Sequence, residues 1–106
     1  MYKGRVGILM LGLSVTANAG GWTGFKDVSL VGVRGDSASG FYFKLSEMPN
    51  PDTCGLIDHY YVRSTNPMMK EMYSLVLAAK KSGTQIMAQL EGCDNGRPKV
   101  ISVIDQ

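Results

Sequence analysis

Few residues in this chain combine the types and the spacing that catalysis requires. His59 is the sole histidine, and its neighbours in the sequence are Asp58 and Tyr60. A histidine general base needs a positioned nucleophile and an orienting group, so we interpret His59 as a structural or surface residue. No serine lies in a Gly-x-Ser-x-Gly motif, and the aspartates are scattered without zinc or calcium spacing. The sequence therefore predicts a protein that is not an enzyme and that uses no cofactor or metal.

The two cysteines, Cys54 and Cys93, are the clearest sign of covalent chemistry. An even number of cysteines in an exported chain indicates a disulfide. Closing a loop of about 40 residues stabilises the fold by roughly 4 kcal/mol in the chain-entropy model. The alternative is a pair of free thiols or metal ligands. It is disfavoured because neither a CxxC motif nor a histidine cluster accompanies the cysteines.

The start of the chain is typical of an export signal. Lys3 and Arg5 precede the apolar run VGILMLGLSV, and Ala17 and Ala19 form a small-x-small cleavage site. We expect residues 1–19 to be a cleaved signal peptide and residues 20–106 to be a single domain, periplasmic or secreted. A transmembrane anchor is the alternative, but ten apolar residues are too few to cross a bilayer.

The charge of the predicted mature domain argues against some partners. The whole chain carries a formal net charge of +2, and loss of Lys3 and Arg5 would leave a neutral domain. A neutral chain without a basic run is a poor candidate for binding nucleic acid or an anionic membrane. We therefore expect neither partner.

Alternation of apolar and polar residues predicts five strands and one helix. The helix lies between Asn66, a candidate N-cap, and Gly83, a candidate C-terminal stop. A glycine at position 24 or 32 is expected to supply a bulge in the long first strand. The strands are predicted at residues 22–34, 41–45, 59–63, 84–91 and 99–104.

This element order, β-β-β-α-β-β, is typical of a small Greek-key barrel of the oligonucleotide/oligosaccharide-binding (OB-fold) type. Such closure would remove exposed strand edges. The alternative is an open α+β sheet with the helix across one face. The helix is apolar on more than one side, which favours contacts between protomers through Met68, Met72 and Leu75.

Residues 75–104, together with Trp22 to Lys26, resemble the B subunit of Shiga-type toxins. The shared features are a helix ending in small residues and glycine, an alternating strand, a cysteine, an Asn-Gly turn and a β-branched last strand. The resemblance implies an OB-fold barrel, a ring of five protomers and binding of cell-surface glycans. It departs from the family in the position of Cys54 and in the first loop, which lacks the family's acidic run.

The resemblance also implies where a glycan would bind. The matching positions are Asp36, Ser37 and Ser39 in the first loop, and Asn95 and Gly96 in the turn after Cys93.

Sugars present apolar C–H faces, so a glycan site also requires an aromatic platform. The candidates are Trp22, Tyr42, Tyr60 and Tyr61, although aromatic residues more often form a core or an interface. Because Tyr60 and Tyr61 are adjacent in a strand, we expect at most one of them in the core.

These features predict an exported, non-enzymatic binding module that recognises glycans and forms a homo-oligomer. The alternatives are an envelope protein whose barrel groove binds a protein partner, and a small exported enzyme or inhibitor.

Overall fold

The computed structural model of the chain describes residues 20–106, so the predicted signal peptide lies outside the described residues. Six strands and one helix follow in order. They are β1 (Gly21–Trp22), β2 (Val28–Arg34), β3 (Gly40–Leu45), β4 (Tyr60–Arg63), α1 (Met69–Ser82), β5 (Ile86–Asp94) and β6 (Arg97–Asp105). Residues 20–106 are mainly β, with one helix between the fourth and fifth strands. The predicted mainly β class with one helix is confirmed, whereas the predicted number of five strands is not.

The strands form one mixed sheet in the order β1-β5-β6-β4-β3-β2. The pair β4 and β6 is parallel, at Tyr61 and Lys99, and the other neighbouring pairs are antiparallel. The sheet is not closed, because β1 and β2 occupy its two edges. The described sheet therefore differs from the predicted closed five-stranded barrel.

The sixth strand arises because the predicted first strand is divided. Gly24 has a φ of +75°, and the chain leaves the strand conformation after Trp22. On one side of this break β1 pairs with β5, and on the other side β2 pairs with β3. The bulge predicted at Gly24 or Gly32 lies at neither glycine, because Gly24 is in the break between the two strands. The register of β2 also shifts between Val28 and Leu30, while Gly32 pairs regularly with Tyr42.

The core lies between the sheet and the helix. Alternation along β3 directs Phe41, Phe43 and Leu45 inward, where they meet Val76 and Ala79 of α1 and buried residues of the other strands. The remaining members of the cluster are Tyr60, Val62, Ile86, Ala88, Leu90 and Val100.

The helix ends as predicted and begins later than predicted. Gly83 has a φ of +75° and its amide donates to the carbonyl of Ala79, which is the left-handed stop expected of glycine. At the start, the side chain of Asn66 accepts a hydrogen bond from the amide of Met68 at 2.8 Å. This turn precedes the helix, so α1 begins at Met69 rather than directly after Asn66.

The predicted disulfide is present. Cys54 and Cys93 are bonded, with their Cα atoms 5.7 Å apart. The bond ties the loop between β3 and β4 to β5, and the hydroxyl of Tyr60 holds the same loop by donating to the carbonyl of Pro49 at 2.6 Å. A disulfide fits an oxidising compartment. Within residues 20–106, no helix combines the length and the apolar character needed to cross a membrane.

Candidate functional site

One face of the sheet, opposite the helix, carries aromatic and charged residues. We call it the outer face. On β3 it receives Tyr42 and Lys44, because Phe41, Phe43 and Leu45 point into the core. Cross-strand pairing joins Gly32 to Tyr42, Tyr42 to Tyr61, and Tyr61 to Lys99. The outer face therefore has a row that crosses β2, β3, β4 and β6.

The ring of Tyr42 packs directly over Gly32 of β2. A Cβ at Gly32 would lie 2.3 Å from Cζ of Tyr42, so any larger residue at position 32 would displace the ring. The imidazole of His59 lies beside this ring, with centroids 4.5 Å apart and planes tilted by 37°. The half-buried rings of Tyr42 and His59 together form an aromatic platform.

Positive charges converge on the imidazole of His59. Burial lowers its pKa from the usual value of 6.5, and the charges of Arg97, Arg34 and Lys44 lower it further. Asp58, whose Oδ1 is 3.6 Å from Nδ1 of His59, acts in the opposite direction. His59 is therefore neutral at pH 7. Its Nε2 atom is buried and has no hydrogen-bond partner in the described part of the chain.

Two arginines are held in bidentate pairs on this side of the sheet. Arg97 donates to both carboxylate oxygens of Asp58, at 2.8 and 3.1 Å. Arg63 donates to both oxygens of Asp94, at 3.1 and 2.8 Å. These hydrogen bonds lower the pKa of both carboxyl groups. The bidentate geometry fixes the orientation of both guanidinium planes.

The outer face has more basic than acidic groups. Lys44 and Lys99 are exposed, and neither has a carboxylate within 4.0 Å among residues 20–106. Their charges remain available to a ligand. The basic groups are Arg34, Lys44, Arg63, Arg97 and Lys99, and the acidic groups are Asp36, Asp58 and Asp94.

The first predicted binding loop lies at the rim of this face. Asp36 accepts hydrogen bonds from the guanidinium of Arg34 at 2.8 Å and from the amide of Ala38 at 3.0 Å. The first of these bonds is the main reason why its pKa is lowered. Ser37 is exposed, whereas the hydroxyl of Ser39 is 2.7 Å from that of Ser64. Asp36 and Ser39 are thus partly committed to internal contacts.

The second predicted loop is the tight turn between β5 and β6. Asn95 and Gly96 have φ values of +56° and +80°, as a two-residue hairpin turn requires. Arg97 donates to the carbonyl of Asn95 at 3.3 Å, so this turn adjoins the pair of Arg97 and Asp58. A single chain of contacts links the two loops: Tyr61 donates to the carbonyls of Ala38 and Ser39, Arg63 lies over the Tyr61 ring, and Asp94 holds Arg63.

Tyr61 is a support for the outer face rather than an exposed platform. Both Tyr60 and Tyr61 have 0% exposure, but only Tyr60 belongs to the core cluster, in agreement with the expectation that at most one of them is core. Tyr60 enters the core, while Tyr61 is covered on the opposite side, where Arg63 lies 5.6 Å from its ring centroid. The sheet is covered on both faces at β4, which the alternation rule does not reveal.

Trp22 lies apart from this assembly. It is 46% exposed on β1, where it pairs with Gln89 of β5. Strands β5 and β6 lie between β1 and β4 in the sheet. Within the described residues, no ring contact joins Trp22 to the outer face. The structure brings the two predicted loops and Tyr61 together, but not Trp22.

Several outer-face residues were missed in the sequence. Alternation along β3 places Tyr42 and Lys44 on one side; Tyr42 is among the aromatic candidates in the sequence, whereas Lys44 is not among the predicted site residues. The pairing of Asp58 with Arg97 had no sequence signal, because the two residues are 39 positions apart. His59 was interpreted as structural, and its neutral ring is part of the platform.

The predicted protomer contacts line a shallow apolar groove. Met68 is 52% exposed, whereas Met72 and Leu75 are partly buried against the core. Together with Ile101 and Val103 they line a groove of about 270 Å³ between α1 and β6. A second groove of about 450 Å³ lies at the other side of α1, against β2 and β3, with Val33, Phe41, Met69 and Tyr73 among its lining residues.

Among residues 20–106, no cluster of three histidine, cysteine, aspartate or glutamate residues has metal-binding geometry. The contacts of His59 are with Asp58 and the ring of Tyr42, and neither is an activated nucleophile.

Comparison with family models, with curated proteins and with solved structures gave no significant match for this chain.

Proposed function

We propose that this protein is an exported, non-enzymatic binding module that recognises an acidic oligosaccharide on its outer face. The observation that carries the proposal is the platform of Tyr42 and His59, with Arg34, Lys44 and Arg97 around it. A sugar ring needs an apolar surface for its C–H groups and polar groups at its edge, and this site offers both. The unpaired lysines favour a ligand that carries a carboxylate or a sulfate.

The arrangement of strands supports an OB-fold architecture for this module. The order is a three-stranded meander (β2, β3, β4), followed by a helix and the hairpin of β5 and β6. The parallel contact joins β4 to β6. Consecutive pieces of one segment, β1 and β2, occupy the two edges. In OB-folds, ligands bind on the face of the second and third strands of the barrel, which correspond to β3 and β4 here.

Self-assembly would multiply such a site. We propose that the groove lined by Met68, Met72 and Leu75 receives a second copy of this chain, as the resemblance to ring-forming toxin subunits implies. Met68 exposes a large apolar side chain that a neighbouring protomer would cover. Weak sites repeated on a ring would gain avidity for a glycan-covered surface. Light scattering on the processed protein tests this, and a monomer at all concentrations would refute it.

The binding proposal is tested with a matched pair of oligosaccharides that differ by one carboxylate. Calorimetric titration should show at least tenfold tighter binding of the acidic sugar. Tyr42→Ala should weaken binding more than tenfold, and Lys44→Ala should weaken it several-fold and reduce its salt dependence. Lys80→Ala removes the same charge from the last turn of α1, on the other side of the sheet, and should change nothing. No binding of any sugar, or an unchanged affinity in Tyr42→Ala, would refute the proposal.

The second candidate function is binding of a protein partner. It is favoured by the larger groove, whose apolar lining could take one or two apolar side chains of an extended segment. Under this alternative Val33→Glu, at an exposed position in the groove, would abolish binding of the partner, and Tyr42→Ala would have no effect.

A further inference from the structure

The carboxylate of Asp52 occupies an unusual position at the start of the described chain. Its Oδ1 accepts a hydrogen bond from the backbone nitrogen of Gly20 at 3.2 Å, and its Oδ2 accepts one from the amide of Gly92 at 2.7 Å. Asp52 is only 9% exposed. The loop that holds Asp52 is tied to β5 by the disulfide of Cys54 and Cys93. One carboxylate thus joins this loop, β5 and the segment that leads into β1.

Among the described residues, Asp52 has no cationic side chain as a partner. Within residues 20–106, no lysine, arginine or histidine nitrogen lies within 4.0 Å of its carboxylate. Buried carboxylates are normally paired with a positive charge, because transfer of an isolated anion out of water is costly. Two neutral amide donors satisfy the oxygens of Asp52 but do not neutralise its charge.

The nitrogen that approaches Asp52 belongs to the residue at which the predicted mature chain begins. We propose that Asp52 is the receptor for the α-ammonium group of Gly20, which forms when a signal-type peptidase hydrolyses the bond between Ala19 and Gly20. In this hydrolysis, water supplies a hydroxyl to the carbonyl carbon of Ala19 and a proton to the nitrogen of Gly20. At neutral pH the new amine takes a further proton from solvent and becomes a cation.

Processing therefore converts a neutral hydrogen bond into a charge-assisted one. Before hydrolysis the nitrogen of Gly20 is an amide with one proton to donate. Afterwards it is an ammonium with three donors and a full positive charge, directed at a carboxylate that has no cationic side chain beside it within residues 20–106. Charge-assisted hydrogen bonds are about twice as strong as neutral ones. The contact between Gly20 and Asp52 would therefore be stronger in the mature chain than in its precursor.

The packing around Gly20 requires the amino group to be placed accurately. A Cβ at Gly20 would lie 2.3 Å from the carbonyl oxygen of Leu90, a backbone atom that cannot move aside. Gly21 follows in β1, pairs with Leu90 and lies against Pro51, the neighbour of Asp52. Glycine at position 20 thus lets the chain start approach β5 closely enough for its nitrogen to reach Asp52.

The test uses the exported product of the full chain. Its first residue is identified by sequencing, and any start other than Gly20 overturns the proposal. The α-amine is then acetylated selectively, which removes its charge and leaves the sequence unchanged. Unfolding in urea at low salt should show that acetylation lowers the folding constant at least tenfold. In Asp52→Asn the same acetylation should change it less than twofold.

Asp105→Asn, which alters an exposed carboxylate near the C-terminal end of β6, is the matched control. In this variant, acetylation should lower the folding constant by the same factor as in the protein of unaltered sequence. Equal effects of acetylation with and without the Asp52 carboxylate would overturn the proposal. If Asp52→Asn does not fold, the rate at which the α-amine reacts with an acylating reagent is measured against pH on the unaltered protein. A Gly20 amine that titrates at or below the value for an unfolded peptide would also overturn it.

Discussion

Removal of the disulfide should cost this small domain much of its stability. The perturbation is the double substitution Cys54→Ala with Cys93→Ser. Alanine suits position 54 because that residue is only 7% exposed, and serine suits position 93 because it is exposed. The bond closes a loop with a sequence separation of 39. In the chain-entropy model, loss of such a loop destabilises the fold by about 4 kcal/mol.

This loss is a large fraction of the total free energy of unfolding, which is only about 5–15 kcal/mol for a small domain. A change of 1 kcal/mol shifts the melting temperature of a domain of this size by about 4–8 °C. The expected decrease is therefore roughly 16–32 °C. The native hydrogen bonds of Asn50 and Tyr60, which hold the same loop, do not reduce the effect, because the disulfide acts mainly on the unfolded chain.

Differential scanning calorimetry of oxidised protein and of the double variant measures this difference. In a phosphine reductant, the unaltered protein should have the melting temperature of the double variant. The reductant should not change the melting temperature of the double variant itself. A decrease of less than about 5 °C would refute the reasoning. It would mean that the unfolded chain is already compact near residues 54 and 93, so that the bond restricts it little.

Three further predictions concern single positions. The pKa of His59 is lower in the folded state than in the unfolded chain, so the unfolded chain binds the proton first as pH falls. The stabilisation present above about pH 6.5 should therefore decline on acidification. In His59→Gln the urea midpoint of unfolding should depend less on pH between pH 7 and pH 5. Tyr61→Phe should destabilise the fold by about 0.5–1.5 kcal/mol, because the partly buried hydrogen bond from its hydroxyl to the carbonyl of Ala38 is lost, and chemical denaturation measures this loss. Gly83→Ala should cost about 1–2 kcal/mol, since φ is +75° there, whereas Ser82→Ala should lower the melting temperature little.

Local features of this protein were readable from the sequence. Gly83 stops the helix and Asn95-Gly96 makes the turn, because each depends on the backbone preferences of one or two residues. The alternation along β3 predicted which side chains enter the core. The disulfide followed from there being only two cysteines, so no choice of partner remained.

Features that depend on contacts between distant segments were not readable. The division of the first strand follows from its pairing with β5 on one side and β3 on the other. The burial of Tyr61 follows from Arg63 and the loop at Ala38, which cover the second face of the sheet.

Sequence alone determined the mainly β class, the helix and the covalent cross-link, because propensity, periodicity and cysteine count are properties of short stretches or of composition. Only the tertiary structure decided what the strands bring together: the platform of Tyr42 and His59, and the carboxylate of Asp52 beside the nitrogen of Gly20. The physical reason is that strand register sets which distant residues meet, and register results from the packing of the whole sheet at once.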